Sequence, residues 1–223
     1  MHADFIDTTL LTSGAEQYGV TLSPIQLNLF VRYAEILADW NERINLTSTA
    51  VSEYVPRHFI DSLSLLAVLP GVGDISILDV GSGAGFPGIP LAIACPHFKI
   101  TLLESLQKRV FFLEEVVAKL DLQNVQVVRG RAEDMAKDNR YARAFPVVTA
   151  RAVAKLKSLL PWLSPFMASS GRIVCMKAKD LEAEIKEAQD VCKKLGLELT
   201  EQKIVQPLGC EVERTLLLFQ KRK

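Results

Sequence analysis

The 223-residue sequence predicts an α/β fold built on a parallel, doubly wound sheet. Three observations lead there. From residue 75 onward, short β-branched and leucine-rich runs alternate with helix-length amphipathic segments, the order of repeated βα units. The first run ends in a glycine-rich turn, Asp79-Val80-Gly81-Ser82-Gly83-Ala84-Gly85, and a helix-compatible segment resumes after Gly88. The last two runs follow one another without a helix, which predicts an antiparallel hairpin at the C-terminal edge.

Residues 1–70 show helical rather than strand patterning and are expected to form an N-terminal extension packed on the core, with residues 71–223 as the α/β domain. A short helix is expected over residues 14–19. Ser23, Pro24 and Gln26 then supply an N-cap, an N1 proline and a capping-box partner. Leu22, Ile25, Leu29, Tyr33, Ile36, Leu37 and Trp40 form the apolar stripe of that second helix. Residues 41–49 are polar turn chemistry. Pro56 opens a third helix with Phe59, Ile60, Leu63, Leu66 and Leu69 as its stripe, and Pro70, Gly71 and Gly73 end it. Strands are expected over residues 75–80, 99–103, 125–128, 146–149, 172–176, 198–205 and 215–220. Helices are expected over 88–94, 106–120, 154–163 and 181–195.

Composition narrows the class. Hydrophobic residues make up 49% and charged residues 23%, as in a folded soluble domain. No apolar run reaches the roughly 20 residues that span a bilayer, and the N-terminus is acidic, unlike a secretory signal. Cys95, Cys175, Cys192 and Cys210 are widely spaced and read as buried thiols of a cytoplasmic protein, with neither a disulfide framework nor a metal site. Net charge is zero but uneven. Residues 1–70 hold three arginines against eight acids, whereas residues 129–157 hold eight Lys or Arg against three acids. A local basic face of this kind can meet phosphates, although charge runs are also ordinary solvated surface.

The glycine spacing separates two cofactor classes. A dinucleotide fingerprint would place its third glycine at position 86, where this chain has Phe86, and a bulky ring there argues against NAD or FAD. The D-x-G-x-G-x-G order suits S-adenosylmethionine (SAM), which carries no phosphate. Glycines serving packing alone are the plain alternative. In doubly wound sheets the ligand sits beyond the carboxyl ends of the strands. Glu104 follows the second strand as a carboxylate able to accept ribose hydroxyls. Arg129 to Asp134 follow the third, where an acid can meet an adenine amino group. Arg151 follows the fourth and Lys177 ends the fifth.

These motifs together resemble the bacterial small-subunit (16S) ribosomal RNA guanine-N7 methyltransferases, the RsmG/GidB family. The likeness rests on Trp40-Asn41 with Asn45-Leu46-Thr47-Ser48, on Arg57-His58 with Asp61-Ser62, and on Asp79 through Leu91. Ser105-Leu106 with Lys108-Arg109-Val110 and the pair Arg151-Ala152 add to it. The chain departs from the family's Lys-Gly pair at Ala178. The resemblance implies a Rossmann-like sheet of the SAM-dependent methyltransferase type, with S-adenosylhomocysteine as product. It implies cofactor contacts at Gly81, Gly83, Gly85, Phe86, Glu104, Ser105, Ala132, Glu133 and Arg151. Small-subunit rRNA, or the assembled subunit, is the implied partner of a monomer that uses no membrane.

The missing machinery agrees. There is no N-P-P-Y or D-P-P-Y motif for an exocyclic amine and no Pro-Cys or Thr-Cys dipeptide for a covalent thiolate. Guanine N7 is a free lone pair, so its methylation calls for no general base. Arg151 and Lys177 are the catalytic candidates, and Arg57, His58, Lys108, Arg109, Arg131 and Lys177 the expected RNA-facing rim. Against this, Lys108 and Arg109 equally suit a solvated helix start, and His58 suits a packing role bonded to Asp61. Methyl transfer to a small molecule or protein, or a non-catalytic role in ribosome assembly, are the alternative functions.

Overall fold

The computed structural model describes residues 5–69, 73–151, 154–178 and 181–222. The expected boundary at residues 70 and 71, with Pro70 and Gly71, lies outside them. Two helices open the chain, α1 (Thr8–Glu16) and α2 (Pro24–Asn41). The first lies earlier than residues 14–19, because Asp7 caps it by accepting from Leu10 N at 2.8 Å. The second starts as the sequence predicts. Gln26 N donates to Ser23 Oγ at 3.3 Å, and Ser23 N donates back to Gln26 Oε1 at 2.9 Å. The expected third helix is not regular. A π-helical turn (Val55–Ile60) runs into the α-helical turn α3 (Asp61–Leu63) and a 3-10 turn (Ser64–Ala67). Apolar periodicity finds the buried face but not the winding, and π turns concentrate at functional sites.

The sheet follows from strands β1 (Ser76–Val80), β2 (Lys99–Glu104), β3 (Val125–Arg129), β4 (Phe145–Arg151), β5 (Met167–Lys177), β6 (Leu197–Val205) and β7 (Arg214–Lys221). Their order is β3-β2-β1-β4-β5-β7-β6. Neighbours from β3 to β5 are parallel, and β7 lies antiparallel between β5 and β6. The connections are α4 (Gly88–Ala94), α5 (Gln107–Leu120), α6 (Ala132–Met135), α7 (Leu156–Leu163) and α8 (Glu182–Leu195). The four-residue α6 is an element the sequence pattern does not announce.

Period-two alternation assigns each strand residue to a face. Ile77, Ile100, Val147, Val174 and Leu216 join the core shared with α2, α4 and α5, whereas Leu78, Val148, Ile173 and Leu217 join the core under α7 and α8. The N-terminal helices therefore share a continuous core with one face of the sheet. Their attachment is also polar. Gln26 Nε2 donates to the carbonyls of Ile93 and Ala94 at the end of α4, and Tyr33 donates its hydroxyl to Ala84 O in the glycine loop. All four cysteines are free thiols, Cys95 and Cys175 buried, Cys192 and Cys210 half-buried rather than fully enclosed. Among the described residues no helix is long and apolar enough to cross a membrane.

Gly88, the first residue of α4, packs tightly against β1 and β2. A Cβ there would overlap Leu102 Cδ2 and stand 3.0 Å from Asp79 Oδ2. Gly88→Ala should cost about 2 kcal/mol, in the range of overpacking, measured as a lower urea midpoint at unchanged slope.

Candidate active site

A cavity of about 850 Å³ opens at the carboxyl ends of the parallel strands, bordered by Gly81, Gly83, Phe86, Glu104, Ser105 and Arg151. A second cavity of about 250 Å³ adjoins it, with Gly81 and Ser105 common to both and Ala132, Glu133 and Trp162 on its far side. Volumes of this size are ordinary for small-molecule sites. Gly83 shows why the loop is glycine-rich. Its φ is +59°, and its N–H donates to Glu104 Oε2 at 3.0 Å. Gly85, at φ +89°, turns away from the cavity: a Cβ there would meet Ile89, Tyr33 Oη and Leu113. It is tightly packed on that side and is not among the residues bordering the cavity, where the sequence suggests a cofactor contact.

Glu104 is buried and largely occupied. Oε1 accepts from Ser105 N at 2.7 Å and Leu106 N at 2.9 Å, while Oε2 takes Gly83 N and faces Arg109 Nη1 at 3.7 Å. The carboxylate thus ties the glycine loop to the end of β2 and keeps one Oε2 lone pair for a ligand hydroxyl, fewer than two ribose hydroxyls would use. Behind the loop, Asp79 Oδ2 accepts from Gly88 N at 3.1 Å, and Oδ1 has no partner. Burial pushes its carboxyl up to about 7.

The outer part of the large cavity is built by the N-terminal segment and the last strand. Asn41 Oδ1 accepts from Leu46 N and Thr47 N at 2.8 Å each, which fixes the polar turn after α2. Thr47 Oγ1 then meets His58 Nε2 at 2.8 Å, and His58 Nδ1 lies 3.0 Å from its neighbour's carbonyl, Arg57 O. Nδ1 also lies 3.4 Å from Arg151 Nη2, which only donates, but the shorter contact to the carbonyl favours the proton on Nδ1, with Nε2 accepting from Thr47. The partner expected for His58, Asp61, is engaged elsewhere. Asp61 Oδ2 accepts from Arg151 Nη1 at 2.7 Å and Oδ1 from Arg214 Nε at 2.5 Å. His58 stacks on Phe86 with ring centroids 4.5 Å apart, and the Arg151 guanidinium carbon sits 4.6 Å from the Phe86 centroid.

Lys177 differs from a free rim cation. Its side chain is 11% exposed, and its ammonium donates to Ala154 O at 2.5 Å and to Glu184 Oε1 at 2.6 Å. Arg57 and Arg109 border the large cavity, Arg131 the small one, and Lys108 stands exposed on α5 outside both. Ala152 lies outside the described residues. The structure adds Asp61, Arg214, Glu184 and Trp162 as wall residues. The sequence carried a signal for Asp61 only, through its place beside Ser62 in a motif. Among the described residues no group of three His, Cys, Asp or Glu side chains converges as a metal site.

The family model for GidB, rRNA small subunit methyltransferase G, matches residues 26–211. The chain belongs to that family. It is 39% identical over 213 residues to the ribosomal RNA small subunit methyltransferase G of Thermoanaerobacter sp. (strain X514), covering 95% of this chain and 89% of that protein. The same-named protein of Dehalococcoides mccartyi (strain CBDB1) is 42% identical over 215 residues, covering 95% of this chain and 90% of that one. Solved structures share the fold at low identity. A SAM-dependent methyltransferase from Aquifex aeolicus matches at TM-score 0.56 and 13% identity, over 83% of this chain and 97% of that one. The precorrin-6y C5,15-methyltransferase of Geobacter metallireducens matches at 0.54 and 17%, over 73% and 88%. The matched residues of this family member span the segment before the sheet as well as the sheet, in keeping with the site's composite walls.

Burial, aided by the nearby Arg151 charge, lowers the His58 pKa from 6.5 to about 3. The folded protein keeps His58 neutral where the unfolded chain protonates it, so this contribution is complete above pH 6.5 and declines as pH falls toward 3. Between pH 7.5 and pH 5 the wild type should lose about 2 kcal/mol more unfolding free energy than His58→Gln, measured by urea titration at each pH.

Proposed function

We propose that this protein transfers the methyl group of SAM to N7 of a guanine in small-subunit (16S) rRNA, leaving S-adenosylhomocysteine. The observation that carries the reading is the paired cavity. The inner compartment is a glycine cradle flanked by an aromatic ring, and the outer one is walled by guanidinium groups. SAM, when bound, supplies a methyl group on a sulfonium that needs only an in-line nucleophile. Gly81, Ser105, Ala132, Glu133 and Trp162 are placed to hold its nucleoside end. Gly83, Phe86 and Arg151 border the compartment left for the methionine end and the reacting base.

Among the described residues neither His58 nor the buried thiols are set up to remove a proton, which supports a substrate that has none to lose. Both His58 nitrogens are hydrogen-bonded and the ring is neutral. Burial pushes the Cys95 thiol up to about 11 and Cys175 to about 12, so neither offers a thiolate near neutral pH. The division of labour follows: residues 1–70 supply one wall and residues 71–223 the cradle. Arg151 and Lys177 act by position and charge rather than by proton transfer. The protein works in this reading as a cytoplasmic monomer on rRNA or the small subunit.

Methyl transfer from labelled SAM to small-subunit rRNA, offered naked and as unmethylated subunits, tests the proposal. Label should appear as 7-methylguanosine at one site by nuclease digestion and mass spectrometry. Label on another base, or only on free metabolites, overturns it.

Arg57 and Lys108 are exposed cations of the expected rim, Arg57 with only a surface pair to Glu53 at 3.5 Å. Replacing both with Gln should weaken RNA binding and reduce the slope of log K against log salt by about 1 to 2. An unchanged slope removes them from the interface.

A further inference from the structure

We propose that Arg214 reads O6 of the target guanine and thereby excludes adenine. The inference rests on the guanine-N7 reading above. On the edge that must face the methyl donor, guanine presents N7 and O6, both acceptors, whereas adenine presents N7 beside an amino donor. N7 must keep its lone pair for the incoming methyl group. A reader on this edge therefore donates to O6 alone, and the same donor meets the adenine amino group head-on.

Of the other cations bordering the large cavity, Arg151 and Lys177 are hydrogen-bonded within the protein, while Arg57 and Arg109 make only longer ion pairs, one on the outer surface and one at the cradle. Arg151 gives Nη1 to Asp61 at 2.7 Å and to Arg57 O at 3.3 Å, and its guanidinium lies over Phe86 beside the cradle. Lys177 is consumed by Ala154 O and Glu184. Arg57 pairs with Glu53 at 3.5 Å on the outside, and Arg109 leans on Glu104 at 3.7 Å. Arg214 borders the same cavity but is held through Nε alone, by Asp61 Oδ1 at 2.5 Å. Among the described residues its two Nη groups make no hydrogen bond.

Two features set the Arg214 guanidinium where a base would enter. Lys177, the last residue of β5, pairs with Thr215, so antiparallel β7 begins at the cavity mouth with Arg214. Asp61 is 1% exposed and holds Arg214 on one oxygen and Arg151 on the other. The two guanidinium groups are therefore neighbours, Arg151 toward the donor and Arg214 one step outward. A side chain fixed at Nε cannot swing away when the base arrives, unlike a lysine on a flexible stem.

The test uses small subunits carrying guanine, hypoxanthine or 2-aminopurine at the mapped target, made by splinted ligation and reconstitution. Hypoxanthine keeps O6 and loses the 2-amino group; 2-aminopurine loses O6. Rates are normalised to the dimethyl sulfate reactivity of each N7. Wild-type kcat/KM should change little with hypoxanthine and fall roughly 10- to 100-fold with 2-aminopurine. Arg214→Gln should fall by a similar factor on guanine and show no further loss on 2-aminopurine, with SAM binding by equilibrium dialysis retained. Wild-type transfer to 2-aminopurine at the guanine rate overturns the assignment. So does an Arg214→Gln protein that still discriminates as the wild type does. If that variant does not fold, the wild-type comparison decides alone. Absence of transfer to guanine in any subunit defeats the methyltransferase reading, and this inference with it.

Discussion

A carboxylate shared between two arginines holds the outer half of the site together. Asp61 is buried, and each of its oxygens holds one guanidinium, Arg151 on one and Arg214 on the other. Removing one partner of such a buried cluster typically costs several kcal/mol, since the remaining charge keeps its desolvation penalty without compensation. The three residues come from three separate parts of the chain: the irregular helical segment, the end of β4 and the start of β7. One interaction thus fixes the N-terminal segment to both halves of the sheet at the point where the cavity opens. Because one carboxylate faces two guanidinium groups, the cluster keeps a positive charge and points it into the cavity.

A similar economy governs the inner half. Glu104 spends most of its acceptor capacity on backbone N–H groups of the loops around it, and Tyr33 reaches in from α2 to hold the carbonyl of Ala84. The glycine loop is consequently shaped by side chains from both sides before any ligand arrives. Preorganisation of this kind suits methyl transfer to a lone pair, where positioning accounts for most of what a protein can contribute.

The sequence made the sheet legible because its signals are local. Period-two alternation at Ile77 and Leu78, or Val147 and Val148, names both face and strand, and the capping box at Ser23 marks a helix start to the residue. The glycine loop and the acid after β2 were legible as a cradle for the same reason. What escaped depends on distance in sequence. Arg214 sits 153 residues from Asp61, and no local pattern joins them. The π winding of Val55–Ile60 escaped because buried periodicity is nearly the same for either helix type. Lys177 borders the cavity as expected, but its pair with Glu184 on the next helix, like the packing against Gly85, has no local signal in the sequence.

The insertion of β7 between β5 and β6 has a consequence for the timing of activity. During synthesis the parallel strands and the cradle can form while the C-terminal strand is still inside the ribosomal exit tunnel. The strand that carries Arg214 then pairs with β6 as a hairpin and docks that hairpin on β5, which precedes α8 in the chain. Until it does, Asp61 and Arg151 lack their third member and β5 has an open edge. A chain that stops before β7 therefore keeps the glycine loop but lacks Arg214 in the wall of the large cavity.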